Sequence, residues 1–137
     1  MLTKFLGQAC TLIETNNKKI IVDPWIVGPC NVNTCYTLRN KAATKKDIPT
    51  DVDYIYISHE HQDHFQQETL KEFSKKIPIY ICKFKTKRFY NEIKKLGFKN
   101  IIELTSWKPE ILTKDLEITS IQNPDLMFED SALLIKS

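Results

Sequence analysis

The chain has no long apolar run, and this absence excludes a helical membrane protein at once. Among its 137 residues, no stretch approaches the roughly 20 apolar residues that a helix needs to cross a bilayer. The first ten residues also lack a basic start followed by a long apolar segment, so we expect no secretory signal. These absences predict a cytoplasmic protein without a membrane span.

Cysteine pairs and strong charge are missing as well. The 4 cysteines include no C-x-x-C pair, so we expect reduced thiols, with two disulfides in three connectivities as the open alternative. A net charge of +3 does not require a nucleic-acid partner, and we expect none. Seven basic residues surround the second predicted helix, and they favour a solvated helix face over a phosphate-binding patch: Lys83, Lys85, Lys87, Arg88, Lys94, Lys95 and Lys99.

The composition that remains is that of a soluble globular domain. Hydrophobic residues make up 42% and charged residues 27%, and the length fits a single domain over residues 1–137. A hairpin over residues 10–23 is predicted to end at Pro24, which cannot continue a central strand. Residues 25–50 have no clear period, and a loop of this length is usually functional or an insertion.

The elements after this loop predict a mixed α/β fold whose sheet has helices on one face. Two helices are predicted: one from Asp63 to about Ser74, and one that carries Phe89, Ile93 and Leu96 on one face before a C-cap at Gly97. The predicted strands cover residues 52–58, 77–81, 100–104, 116–121 and 132–135.

All 3 histidines fall within six residues, directly after an apolar strand that ends at Ser58. Alternation in an extended chain places His59 and His61 on the same side, where two imidazoles can bind one metal ion. Asp63 and His64 follow at the predicted helix start and can supply an oxygen and a nitrogen to a second metal. Two neighbouring metals can share a hydroxide nucleophile.

A structural role stays open for one of these residues. Asp63 and Gln66 also have the spacing of a capping box at the start of a helix, and this role does not exclude metal binding.

The spacing His59-x-His61-x-Asp63-His64 after an apolar strand resembles the signature of the metallo-β-lactamase superfamily. Residues 5–14 and 20–25 resemble the N-terminal hairpin of the same fold. The residues of these segments are similar to those of lactonase-like and phospholipase-D-like hydrolases, and of the metallo-hydrolase portion of CMP-sialic-acid hydroxylases. The resemblance covers residues 3 to about 81 well and implies the N-terminal half of an αββα sandwich.

This resemblance assigns roles to individual residues. His59 and His61 are expected to bind the first metal, and Asp63 and His64 the second metal, where they are the catalytic pair. Asp23 is expected to orient a ligand imidazole, with a turn residue before Pro24 as an equal alternative. Zinc is the expected metal, with two ions in a complete site and manganese or iron as alternatives.

The chain also departs from the family pattern. The family places a third histidine near the position of residues 122–125, then a bridging aspartate and a last histidine, but no histidine follows His64 here. Gln8 stands where relatives often carry histidine. Four residues are considered as substitute ligands: Cys82, Asp125, Glu129 and Asp130.

The function expected from these features is a metal-dependent hydrolase domain. Metal-bound hydroxide would attack an ester, amide, lactone or phosphodiester in a small-molecule substrate, after a partner chain or homo-oligomer completes the fold. The alternative is a non-catalytic accessory or binding module that retains a half-fold and a vestigial metal site. A nuclease has only the basic stretch in its favour, and an oxygenase needs an iron–sulfur domain that this chain does not supply.

Overall fold

The computed structural model describes residues 1–30, 43–124 and 129–137. Their regular elements are nine strands, two α-helices and one turn of 3₁₀ helix at Lys45–Asp47. The strands are β1 (Leu2–Gly7), β2 (Cys10–Thr15), β3 (Lys18–Val22), β4 (Tyr54–Ile57), β5 (Ile79–Cys82), β6 (Ile101–Leu104), β7 (Glu110–Thr113), β8 (Leu116–Gln122) and β9 (Ser131–Lys136). The helices are α1 (Gln67–Lys71) and α2 (Arg88–Lys95).

The first sheet has six strands in the order β1-β2-β3-β4-β5-β6. Strands β1 to β3 pair antiparallel, and β3 to β6 pair parallel. Asn16 and Asn17 form the predicted hairpin turn with φ values of 48° and 58°, the left-handed conformation that asparagine tolerates. The predicted hairpin and the following strands are therefore confirmed, with small shifts at their ends.

One face of this sheet packs against both helices. Alternate side chains of the central strands, including Ile55, Ile57, Ile79 and Ile81, are buried on this face because strand side chains point to opposite sides in turn. They form one core with apolar residues of the helical segments: Phe65, Leu70, Phe73, Phe89 and Ile93. Each fully buried side chain of this kind contributes roughly 1.5–3 kcal/mol to folding.

The opposite face packs against a second, three-stranded antiparallel sheet in the order β7-β8-β9. Tyr56 and Tyr80 from the first sheet form a second core with Leu116 and Ile118 of β8. The layers therefore follow the order helix, sheet, sheet. This arrangement confirms the predicted mixed α/β fold with helices on one face of the sheet. In the described parts of the chain, every helix is too short and too polar to span a membrane.

The helix predicted from Asp63 to about Ser74 is wrong at both ends, because α1 covers only Gln67–Lys71. The N-cap is Gln66, whose side-chain oxygen accepts a hydrogen bond from the Glu68 amide at 2.8 Å. The capping box assigned to Asp63 is therefore wrong, although the candidate metal role of Asp63 is unaffected.

The segment before α1 forms a turn rather than a helix. The carbonyl of His61 accepts the amide hydrogens of His64 at 3.0 Å and of Phe65 at 2.7 Å. This turn carries Asp63 and His64 back toward the end of β4, instead of placing them on the first turn of a helix.

The loop after β3 is held by α1. Thr69 Oγ1 accepts from the amides of Ile26 and Val27, both at 3.1 Å, and donates to the Val27 carbonyl at 3.2 Å. These contacts explain why Thr69 is fully buried although it is polar. Cys35 and Asp125 lie outside the described residues.

Candidate metal centre

The clustered histidines lie where two parallel strands of the first sheet end side by side. Strand β3 ends at Val22 and is followed by Asp23, while β4 ends at Ile57 and is followed by Ser58. Because the two strands run parallel, the residues after them meet at one edge of the sheet. The sequence thereby brings Asp23 next to the histidine segment, 35 or more residues further along the chain.

Asp23 adopts a backbone conformation that non-glycine residues seldom take, with φ at 47°. Its amide donates to the carbonyl of Tyr56 at 2.9 Å, and its side chain is buried. Its two carboxylate oxygens accept from Ser58, Oδ1 from the amide at 2.7 Å and Oδ2 from the hydroxyl at 2.8 Å. Such strain persists only where surrounding contacts fix the residue, and it is frequent at functional sites.

His64 is held by Asp23 across 41 positions of sequence. Its Nδ1 lies 2.8 Å from Asp23 Oδ2, and its Nε2 lies 3.7 Å from Oδ2 of Asp63. Burial lowers the pKa of His64, but the hydrogen bond and charge of Asp23, with the charges of Asp63 and Asp130, outweigh burial and leave the pKa raised. The imidazole is thus fixed at one nitrogen, and its other nitrogen faces a carboxylate.

His59 and His61 meet through their ring nitrogens. Nε2 of His59 lies 3.1 Å from Nδ1 of His61, and the ring centroids are 4.6 Å apart. Nδ1 of His59 contacts the Ser58 hydroxyl at 2.9 Å and Asp130 Oδ1 at 3.1 Å. Burial and the nearby His64 lower the pKa of His59, so this ring favours the neutral form that metals bind.

The chemistry of these donors can be compared with the needs of a metal ion. Two nitrogens bound to one tetrahedral zinc at about 2.0–2.1 Å lie about 3.3 Å apart, close to the 3.1 Å between the facing nitrogens of His59 and His61. His64 and Asp63 face each other with an N/O pair in the same way. Each pair fits two positions of a metal site. In residues 1–30, 43–124 and 129–137, no three such side chains form a group that could hold a metal ion.

A comparison with known proteins identifies the family. A family model described as the β-lactamase superfamily domain matches residues 3–128. The chain belongs to the metallo-β-lactamase superfamily. The Xenopus laevis cytidine monophosphate-N-acetylneuraminic acid hydroxylase is 32% identical over 111 residues, which are 76% of this chain and 19% of that protein.

Solved structures show the same fold at low sequence identity. The diiron β-hydroxylase CmlA from Streptomyces venezuelae matches with a TM-score of 0.70 and 20% identity, over 98% of this chain and 27% of that one. An isothiocyanate hydrolase from Delia radicum gut bacteria matches with a TM-score of 0.70 and 18% identity, over 98% of this chain and 57% of that one. The chain therefore spans little more than half of the isothiocyanate hydrolase and about a quarter of CmlA.

The residues considered as substitute ligands for this superfamily site differ in position. Asp130 lies beside His59, as described above, whereas Glu129 accepts from the amide and hydroxyl of Thr86, both at 3.0 Å. Cys82 is buried in the core, and burial raises the pKa of its thiol. Gln8 is exposed in the β1–β2 turn. Asp130 is thus the substitute ligand nearest to the histidines among those that the structure describes.

Two features of the centre were missed by the sequence analysis. Ser58 was taken only as the last residue of a strand, yet its hydroxyl contacts Asp23 and both His59 and His64. A cavity of about 540 Å³ also opens beside His61 and is lined by Glu60 and Arg88, whose side chains pair at 3.1 Å. The position of Ser58 next to His59 was the one available signal, whereas the pairing of Glu60 with Arg88 depends on tertiary structure.

Proposed function

We propose that this chain is the metal-holding part of a metal-dependent hydrolase of the metallo-β-lactamase superfamily. His59 and His61 would hold a first metal ion, and Asp63 and His64 a second. The observation that carries this proposal is the 3.1 Å separation of His59 Nε2 and His61 Nδ1. Two basic nitrogens face each other there, at nearly the distance that one shared metal ion imposes.

The chain's own residues prepare these donors. Asp23 accepts the Nδ1 hydrogen of His64, so Nε2 is the nitrogen that faces Asp63 and would bind a metal after losing its proton. The lowered pKa of His59, caused by burial and the nearby His64, favours the neutral ring that a metal can bind. Support by a carboxylate behind a ligand imidazole is common in metal sites and improves metal affinity.

A bound metal ion would supply Lewis acidity, which makes water a nucleophile near neutral pH. Nitrogen and carboxylate donors suit zinc best, and they also accept manganese or iron. The cavity beside His61, of about 540 Å³, is large enough for a small ester, amide, lactone or phosphodiester. Glu60 and Arg88 offer both signs of charge on its wall.

The centre would need further donors for full activity. A catalytic zinc has three protein ligands, and each pair here supplies two. Asp130 is the nearest of the substitute ligands described, since its partly exposed carboxylate lies 3.1 Å from His59 Nδ1. A partner chain or a second copy is the other source in this proposal. The single-domain organisation over residues 1–137 and a cytoplasmic location remain predictions.

The experiment is a hydrolysis assay of the zinc-loaded chain against chromogenic esters, a lactone, an amide and a phosphodiester. The double variant His59→Ala/His61→Ala is the control, because it removes both facing nitrogens and leaves the core intact. Turnover by the wild type that the double variant loses supports the proposal. Equal turnover by both proteins would contradict it.

A hydroxylase is the second candidate, because the Xenopus relative and the structural neighbour CmlA are both hydroxylases. The metal that the chain prefers separates the two functions. Stronger retention of iron than of zinc, with no hydrolysis of the substrate panel, would favour the hydroxylase. The reverse result would favour the hydrolase.

A non-catalytic module is the remaining alternative. Three large apolar side chains, in or beside the second sheet, are mostly exposed: Trp107 at 70%, Ile111 at 72% and Leu134 at 55%. Exposed apolar side chains that form a contiguous patch are typical of a surface that binds a partner. A monomer in size-exclusion chromatography that binds no apolar dye would count against this alternative.

A further inference from the structure

The hydroxyl of Ser58 lies at the centre of the candidate metal site. Its oxygen is 2.8 Å from Asp23 Oδ2, 2.9 Å from His59 Nδ1 and 3.2 Å from His64 Nδ1. The side chain is buried, so water does not compete for these contacts. A single hydroxyl therefore touches the carboxylate and two of the three imidazoles at once.

The backbone of Ser58 fixes this hydroxyl in place. Its amide donates to Asp23 Oδ1 at 2.7 Å, and its carbonyl accepts from the Ser131 hydroxyl at 2.7 Å. The first contact ties Ser58 to the end of β3, and the second ties it to β9 of the other sheet. The position of the oxygen is thus set by three strands rather than by the loop alone.

One assignment of protons satisfies the contacts of Ser58 and His64 with Asp23 and the contact of Ser58 with His59. An ionised carboxylate only accepts, so Asp23 Oδ2 receives the Ser58 hydrogen and also the Nδ1 hydrogen of His64. A hydroxyl has one hydrogen, so the Ser58 oxygen can then only accept from His59 Nδ1. In their neutral forms both rings are thereby protonated on Nδ1, and both keep the lone pair on Nε2.

We propose that Ser58 is a positioning residue whose hydroxyl links the carboxylate of Asp23 to the imidazole of His59 by hydrogen bonds. One buried carboxylate then sets the tautomer of both imidazoles, directly for His64 and through the hydroxyl for His59. The consequence for metal binding rests on the proposed function, because an Nε2 lone pair is what a metal would need. The tautomers themselves do not depend on any metal.

Asp130 is the competing acceptor for the same His59 hydrogen. Its Oδ1 lies 3.1 Å from His59 Nδ1, against 2.9 Å for Ser58, and it also accepts from the Ser131 amide at 2.6 Å. Its side chain is 47% exposed, so water weakens its hold on the ring. Ser58 is nearer and buried, and we therefore assign to Ser58 the larger part in fixing the tautomer of His59.

The experiment reads the tautomers of the metal-free protein. Long-range ¹H–¹⁵N NMR at a pH where the rings are neutral distinguishes Nδ1–H from Nε2–H for each histidine. In the wild type we expect His59 and His64 as Nδ1–H. In Ser58→Ala we expect a mixed tautomer at His59 and an unchanged His64, and in Ser58→Thr, which keeps the hydroxyl, the wild-type pattern.

Two further variants keep the inference falsifiable if Ser58→Ala does not fold. Asp130→Ala removes the competing acceptor oxygen and is expected to leave the His59 tautomer unchanged. Ser131→Ala removes a hydroxyl that touches Ser58 but no imidazole, and it should also leave both tautomers unchanged. A shift of the His59 tautomer in Asp130→Ala, or no shift in a folded Ser58→Ala, would overturn the proposal.

Zinc titration in competition with a chelator adds a second reading. We expect Ser58→Ala to bind zinc about tenfold more weakly than the wild type, at the lower end of the loss seen when support for a ligand imidazole is removed. Ser58→Thr should recover the affinity. If the wild type binds no zinc, the proposed function fails, while the NMR result still decides the role of Ser58.

Discussion

Asp23 and His64 are 41 residues apart, yet Oδ2 of Asp23 lies 2.8 Å from Nδ1 of His64. The contact forms because parallel strands β3 and β4 end at the same edge of the first sheet. The turn after His61 then brings His64 back over that edge. A strained, buried carboxylate and a half-buried imidazole are thus joined at the point where the candidate metal site begins.

The first prediction concerns the charge of Asp23. Asp23→Asn keeps the size of the side chain and its tolerance of a positive φ, but it removes the charge behind His64. We expect zinc affinity to fall by about 10- to 100-fold, because supporting carboxylates of this kind commonly contribute that much. We also expect a loss of roughly 1–3 kcal/mol in unfolding free energy. Isothermal titration and urea denaturation measure the two effects.

Asp53→Asn is the matched control. Asp53 accepts hydrogen bonds from the Lys19 amide at 2.9 Å and from Lys18 Nζ at 2.7 Å, at the opposite ends of the same two strands. Its replacement should lower stability and leave zinc affinity unchanged. Equal zinc affinities in the wild type and in Asp23→Asn would show that Asp23 is only a turn residue before Pro24.

The second prediction concerns the phenol that joins the two sheets. Tyr56 Oη lies 2.9 Å from Ser120 Oγ and 2.8 Å from Ser131 Oγ, both in the second sheet. Tyr56→Phe removes these bonds without changing the ring. We expect the unfolding free energy at neutral pH to fall by about 1–2 kcal/mol, since the hydroxyls of Ser120 and Ser131 each lose a hydrogen-bond partner. Chemical denaturation measures this loss.

The same residue predicts a loss of stability at high pH. Burial raises the pKa of Tyr56 to about 12, whereas an unfolded tyrosine titrates near 10. Between these values the unfolded chain releases a proton that the folded chain keeps, so stability falls as pH rises from about 10 to about 12. Tyr56→Phe should show a shallower decline over this range.

Tyr80→Phe separates the two effects of Tyr56. Burial also raises the pKa of Tyr80 to about 12, so this variant should flatten the alkaline decline in the same direction. Because it leaves the contacts between Tyr56 and the two serines intact, its loss at neutral pH should be smaller. A larger neutral loss in Tyr80→Phe than in Tyr56→Phe would contradict the role given to the phenol of Tyr56.

The third prediction compares two glycines with left-handed backbones. Gly28 has φ of 81° and Gly97 has φ of 90°, so alanine is strained at both by about 1–2 kcal/mol. At Gly28 an added Cβ would also lie 2.6 Å from Glu68 Oε2 and 2.9 Å from Glu68 Cδ, whereas at Gly97 its nearest neighbour is 3.9 Å away. Gly28→Ala should therefore destabilise the protein more than Gly97→Ala. Thermal unfolding of the two variants checks the order, and equal losses would show that Glu68 moves aside without cost.

The sequence predicted the strands well because their residues carry a local signal. Ile20, Ile55, Ile79 and Ile101 lie in short β-branched runs bounded by polar or proline residues, and each run became a strand of the first sheet. The α1 prediction failed because the spacing of Phe65, Leu70 and Phe73 fits one helix. All three are buried, but Phe65 lies in the turn before α1, Leu70 in α1 and Phe73 in the segment after it. The spacing of buried residues alone does not distinguish one long helix from a turn followed by a short helix.

The candidate site could be predicted only in part. The His59, His61, Asp63 and His64 cluster is local and visible in the sequence. The hold of Asp23 on His64 was anticipated only as one of two alternatives, and the resemblance to the family supplied it. The contact of Ser58 with Asp23 depends on the pairing of β3 with β4, and the contact of Asp130 with His59 depends on the entry into β9. No local pattern encodes either contact.

The measurement that tests the central claim most directly is the zinc content and zinc affinity of the purified chain. The wild type is compared with His59→Ala/His61→Ala, and Asp53→Asn serves as a control outside the site. We expect the wild type and Asp53→Asn to retain zinc against a competing chelator, and the double variant to lose it. Equal retention by the wild type and the double variant would contradict a metal site at His59 and His61.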